Sequence, residues 1–142
     1  MVISEFAAGR GVASTLGMTP EELRERTMLF GLAAFRFTRS LPGDVSSNHV
    51  ARQGFRAATS VAANYRAACL GRSTPEFIAK LGVVREEADE AQFWFEFLRR
   101  SGLSRSPECD ALVNEAGELA NIFGAAYRTT KARHAARKGT NK

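Results

Sequence analysis

The sequence predicts an all-α fold, an antiparallel, up-down-up-down, left-handed four-helix bundle. Three observations carry this. Apolar residues recur at 4-3-4-3 spacing over long stretches, the 3.5-residue period of coiled-coil-like packing rather than the alternation of strands. Ser/Thr-Pro-Glu helix starts recur at Thr19-Pro20-Glu21, Thr74-Pro75-Glu76 and Ser106-Pro107-Glu108. The connections between the helical stretches are short, so consecutive helices pack antiparallel.

In the first helix, Thr19 caps, Pro20 suits the first turn and Glu22 completes a capping box. Leu23, Phe30, Ala33 and Phe37 then fall on one side until Leu41-Pro42-Gly43 breaks the helix. The second helix begins between Asp44 and Asn48, where several capping side chains compete, and runs to about Leu70. Gly71 is placed to end it in a left-handed conformation. The third helix opens at Ser73-Thr74-Pro75-Glu76 and runs to Ser101-Gly102. The fourth opens at Ser106-Pro107-Glu108 and fades into a basic tail. The domain reading is therefore a flexible N-terminal extension over 1–18, a bundle over 19–130 and a basic C-terminal tail over 131–142.

The seams are explicit. Ala51, Phe55, Ala58, Ala62, Tyr65 and Cys69 step along helix two. Phe77, Leu81, Val84, Ala88, Ala91, Phe95 and Leu98 do so along helix three. Cys109, Leu112, Ala116, Leu119, Phe123 and Ala126 follow along helix four. Helix two has a second row beside the first: Val50, Gly54, Ala57, Val61, Asn64 and Ala68. Small residues on both rows let neighbouring backbones approach closely. Its remaining face carries Arg52, Arg56 and Arg66.

At 142 residues the chain is long enough to build one core without covalent or metal staples. No apolar run approaches the roughly eighteen residues of a membrane span, so no membrane partner is expected. The N-terminal stretch lacks a basic n-region and Glu5 interrupts it, which argues against a secretory signal. Cys69 and Cys109 have no C-x-x-C spacing and read as reduced, core-filling thiols of a cytoplasmic protein.

The net charge of +5 is unevenly spread. Residues 45–72 carry Arg52, Arg56, Arg66 and Arg72 with no acid, and residues 119–142 carry six basic side chains with no acid. Residues 73–118 hold ten acidic side chains against five basic ones. Such asymmetry speaks about partners rather than fold.

The runs from Phe35 to Pro42, from Arg56-Ala57-Ala58-Thr59 through Ser60-Val61-Ala62-Ala63-Asn64, and from Gly71-Arg72-Ser73 to Phe77-Ile78 resemble a bacterial family. It comprises small four-helix bundle proteins encoded by intervening sequences of 23S rRNA genes, and the accessory variability protein of diversity-generating retroelements is similar. The resemblance spans roughly residues 22 to 130, with Ser60–Asn64 its most specific part. Family members commonly continue from the Asn with Ile-Ala-Glu-Gly, where this chain has Tyr65-Arg66-Ala67-Ala68, so no role of that Glu carries over. The resemblance implies a left-handed bundle assembled into a homopentamer, for some relatives a basic surface that binds nucleic acid or a nucleic-acid enzyme, and no catalytic activity or cofactor.

The candidate sites follow. Arg52, Arg56, Arg66 and Arg72 read as a solvated face, as ion-pair partners of an acidic third helix across subunits, or as a phosphate-binding stripe. Arg128, Lys131, Arg133, Arg137 and Lys138 read as a solubilising extension or as a flexible arm gripping phosphates. Asn64 in an apolar seam reads as an amide fixing register by hydrogen bonding, or as a ligand contact. Phe93 to Phe97, FWFEF, points aromatics around the helix, and Trp94 or Phe97 is expected against a neighbouring subunit. The acidic Glu86, Glu87, Asp89 and Glu90 do not make a di-metal site, because neither His49 nor His134 has a carboxylate three residues before it. No nucleophile-base set or Gly-rich phosphate loop occurs. The expectation is a non-catalytic homo-oligomer, pentameric by resemblance, that binds RNA or DNA electrostatically. The alternative is a scaffold for a protein partner such as a reverse transcriptase.

Overall fold

The computed structural model describes residues 17–141, so the reading of residues 1–16 as an extension lies outside the described residues. Four helices follow one another: α1 over Pro20–Arg39, α2 over Val45–Cys69, α3 over Thr74–Arg100 and α4 over Pro107–Thr140. Each start is held by a local cap. Thr19 forms the full capping box, its Oγ1 accepting from the Glu22 amide at 3.1 Å while its own amide donates to Glu22 Oε2 at 2.9 Å. Among the competing residues before α2, Asp44 is the cap and accepts from the Ser47 amide at 2.9 Å and its hydroxyl at 2.6 Å. Those two bonds hold the Asp44 carboxyl below its ordinary pKa. Ser73 and Ser106 cap α3 and α4.

Sequential helices pack as neighbours, and α1 closes onto α4 through the thinnest seam. The predicted rows of α3 and α4 are buried throughout, from Phe77 to Leu98 and from Cys109 to Ala126. On α2 the burial favours the second row, Val50, Gly54, Ala57, Val61 and Ala68, joined by Ala58 and Tyr65. Ala51, Phe55, Ala62 and Cys69 of the first row are only half-buried. The small side chains serve close approach: a Cβ on Gly54 would stand 3.1 Å from Phe95 Cε1 and 3.4 Å from Trp94 Cβ.

Four local expectations change. Ala33 is exposed and Ala34 is buried in its place, because the α1 core row runs Leu23, Thr27, Phe30, Ala34, Phe37. Gly71 does not take a positive φ; the left-handed glycines among the described residues are Gly17 and Gly102. Gly71 instead sits where a Cβ would meet the Ala68 carbonyl oxygen at 3.1 Å, so the α2–α3 turn uses its lack of a side chain. Met18, read as part of the extension, packs against the core. The basic segment from 131 continues α4 as helix to Thr140 rather than leaving it as a flexible tail. At 1.5 Å per residue α4 is about 50 Å long and α1 about 30 Å, so the basic end of α4 outruns α1.

An aromatic spine fills the interior. Tyr65 packs on Phe123 with ring centroids 5.1 Å apart, and Phe95 meets Phe30 and Phe37 edge-on at 6.4 and 6.2 Å. Burial pushes the Tyr65 phenol well above its ordinary pKa of 10.0 and raises the Cys109 thiol above 9.0. The folded chain keeps these protons where the unfolded chain releases them, so stability falls as pH rises through 9 to 10 and beyond. Urea midpoints measured at pH 7 and above pH 10 will show this loss, and Tyr65→Phe will reduce the pH dependence. A midpoint that holds steady above pH 10 would contradict the burial of both groups.

Candidate nucleic-acid interface

The structure pairs Arg56 with carboxylates of the same chain and leaves the other predicted cations exposed. Arg56 lies across to α3, where its guanidinium reaches Glu87 Oε2 at 3.2 Å and Glu90 Oε2 at 2.8 Å. The pairing foreseen with the acidic third helix is thus made within the chain, and Arg56's charge is balanced there. Arg26 is engaged likewise, clasping α1 to α4 through Glu115 at 2.6 Å and Glu118 at 2.5 Å. These pairs keep side-chain exposures of 19 to 67%, so their main effect is to fix helix register rather than to add much stability.

Arg52, Arg66 and Arg72 are exposed and form no ion pair among the described residues. Arg66 stands with Arg24 at the edge of an apolar groove of about 500 Å³ between α1 and α2, floored by Met28, Leu32, Phe35 and Phe55. Arg72 sits in the α2–α3 turn, its amide donating to Glu76 Oε2 at 2.8 Å. On α4, Arg128, Lys131, Arg133, Arg137 and Lys138 are all exposed and all helical. At 100° per residue Arg128, Lys131 and Lys138 share one face within about 80°, and Arg133 and Arg137 lie on another. The α2 and α4 cations are therefore separate surfaces on diagonal helices.

Asn64 is half-buried, and its Nδ2 donates to the Ser60 carbonyl at 2.9 Å in its own helix. The amide bonds along α2 and not across to a neighbour, so it does not fix register in the way a cross-helix bond does. Trp94 is half-buried, donating from Nε1 to Glu90 Oε1 at 3.3 Å and meeting His49 edge-on. Phe97 is exposed beside Phe93, the two joined to Trp94 in one aromatic cluster.

Two features escaped the sequence reading. The outer side of α1 exposes Met28, Leu29, Leu32 and Phe35, a second apolar surface beyond its core row. The available signal was that these four residues lie off the Leu23–Phe30–Phe37 line. The other is Arg85 of α3, which the fold brings to Tyr127 and to the α4 cations. A single arginine inside an acidic stretch gives no such signal.

The family model of the 23S rRNA-intervening sequence protein matches residues 22–125. The chain belongs to this family. A protein of unknown function from the S23 ribosomal protein family of Bacteroides thetaiotaomicron VPI-5482 has a crystal structure similar to this chain, with a TM-score of 0.70 at 22% identity. The match covers 77% of this chain and 97% of that one, and shows that the bundle is shared. No curated protein matches. For this family member, no helix among the described residues is long and apolar enough to cross a membrane.

Proposed function

We propose that this family member is a non-catalytic, homo-oligomeric bundle of the cytoplasm that binds RNA through cations that form no ion pair with its own carboxylates. One observation carries the reading. Arg24, Arg26, Arg56 and Arg99 are ion-paired, whereas Arg52, Arg66, Arg72, Arg128, Lys131, Arg137 and Lys138 form no ion pair among the described residues. Positive charge in excess of what the fold uses is the electrostatic footprint of a polyanion partner.

A second copy of the chain is the occupant of the exposed apolar faces. The α1–α2 groove is edged by Arg24 and Arg66, and the Phe93–Phe97 cluster on α3 is flanked by exposed Glu86 and Asp89 and by Glu96, with Arg100 as a cation among them. The two surfaces are apolar at the centre and opposite in net charge at the edge. They are different patches of one subunit, so joining them is head-to-tail, the kind of contact that closes into a ring. Five subunits is the number that the family resemblance implies, and a ring multiplies each weak phosphate contact.

The test is light scattering followed by titration of a fluorescein-labelled single-stranded RNA. The expected mass is five times the 15.5 kDa chain. Arg52→Glu and Arg72→Glu combined with Arg128→Glu and Lys131→Glu, all outside the proposed subunit contact, are expected to abolish RNA binding. A monomer would overturn the ring. RNA binding that survives these reversals would overturn the electrostatic reading and favour a scaffold for a protein such as a reverse transcriptase.

A further inference from the structure

On the α3–α4 face, two cations flank one aromatic ring and a third lies beside them over a bare glycine. Arg85 Cζ stands 5.3 Å from the Tyr127 ring centroid, and Lys131 Nζ stands 5.4 Å from the same centroid. Lys131 Nζ also donates to the Tyr127 hydroxyl at 3.4 Å. The third cation is Arg128. A Cβ on Gly124 would meet Arg128 Nη1 at 3.3 Å and Arg85 Cδ at 3.4 Å, so both side chains are drawn over the bare glycine. Gly82 plays the matching part under the ring, where a Cβ would stand 3.3 Å from Tyr127 Cε2.

Neither Arg85, Arg128 nor Lys131 forms an ion pair with a carboxylate among the described residues. Glu86 and Asp89 are exposed on α3 close by in sequence, yet they leave Arg85 unpaired. Crowding like charges is unfavourable in itself. The face of Tyr127 offsets part of that cost by holding its cations through the ring quadrupole. A doubly or singly charged oxyanion placed among the three would offset the rest. A guanidinium matches the planar edge of a phosphate with paired N–H donors, and a lysine adds a mobile point charge.

We propose that Arg85, Arg128 and Lys131 form a phosphate-binding site, with Tyr127 as the residue that positions them, and that it grips the sugar-phosphate backbone of bound RNA. The assignment of RNA as the source of the phosphate rests on the function proposed above; the anion site does not. The ring is already flanked by cations, so its part is to hold them and not to stack on a base. Because phosphate is contacted and no base edge is read, the site is indifferent to sequence.

Two probes separate the claims: calorimetric titration with sodium tripolyphosphate, and polarisation titration with a fluorescein-labelled 20-nucleotide RNA from 50 to 300 mM salt. Wild-type protein is expected to bind tripolyphosphate, and Arg85→Gln with Lys131→Gln to lose at least tenfold in that affinity. The same pair is expected to reduce the slope of log affinity against log salt for RNA by roughly 0.7, the contribution of the one single-strand phosphate that the site holds. Tyr127→Leu is expected to weaken both ligands several-fold with little change in slope, because all charges remain, while Tyr127→Phe keeps most of the effect. Thermal melts of each variant separate loss of the site from loss of fold. Tripolyphosphate binding without RNA binding would keep the anion site and overturn the RNA function. RNA binding that is unchanged in the Arg85→Gln, Lys131→Gln pair, with no tripolyphosphate affinity to lose, would overturn the site and leave the α2 cations to carry the function.

Discussion

Phe95→Ala will cost the bundle about 3–5 kcal/mol, the range for truncating a fully buried phenylalanine in a core that cannot collapse around the gap. Phe95 is wholly buried, and it touches every other helix. Its ring meets Phe30 and Phe37 of α1, lies against the bare backbone of Gly54 on α2, and its carbonyl accepts from the Cys109 thiol of α4 at 3.5 Å. Truncation therefore opens a cavity bordered by three helices rather than one interface. Followed by circular dichroism, the melting temperature is expected to fall by roughly 10–20 °C, given about 2–8 °C per kcal/mol for domains near this size. Val83→Ala is the control, because Val83 lies on the same helix with 37% exposure and outside the proposed subunit contact. Its effect stays within about 0.5 kcal/mol. A drop for Phe95→Ala no larger than for Val83→Ala would mean that Phe95 is not the centre of the core.

Leu32→Glu with Phe35→Glu will dissociate the proposed ring while leaving the helices intact. Both side chains are exposed in the single subunit, at 38% and 41%, so a carboxylate at either is solvated there. In the ring each would sit in the groove against the aromatic cluster of the next copy. Burying an unpaired carboxylate costs several kcal/mol, and every 1.4 kcal/mol is tenfold in affinity. Two such charges weaken assembly by roughly a thousandfold or more. Light scattering is expected to return one chain mass with unchanged helical signal. An unaltered mass would place the subunit contact elsewhere. Trp94→Ala and Phe97→Ala are expected to weaken the same assembly from the opposite side, and a variant of each side should add nothing further once the subunits are apart.

How far these features are legible in the sequence depends on the size and range of the interaction. Caps are local: Thr19, Ser73 and Ser106 announce α1, α3 and α4 from residues within one turn. The rows of α3 and α4 are legible because large apolar residues alternate with charged ones, so one face alone can enter the core. On α2 the same logic fails to choose between rows, since alanines, a glycine and a valine pattern both alike, and only the packed neighbours decide. Ala33 and Ala34 pose the same problem on α1. The exposure of Met28, Leu29, Leu32 and Phe35 is not legible in the sequence, because composition does not say whether an apolar side chain meets its own chain or another. The charged sites depend on register across helices. Arg56 pairs with Glu87 and Glu90, residues 31 and more positions away, and Arg85 joins Tyr127 only once α3 lies against α4. No local pattern carries those distances.

Excess positive charge, laid out on α2 and α4, is what we propose this family member uses to hold RNA. The decisive measurement is the salt dependence of RNA affinity. With six single-strand phosphates contacted, the slope of log affinity against log salt is about −4, so raising salt from 50 to 200 mM weakens binding by roughly 300-fold. Affinity that stays level across that range would contradict the account.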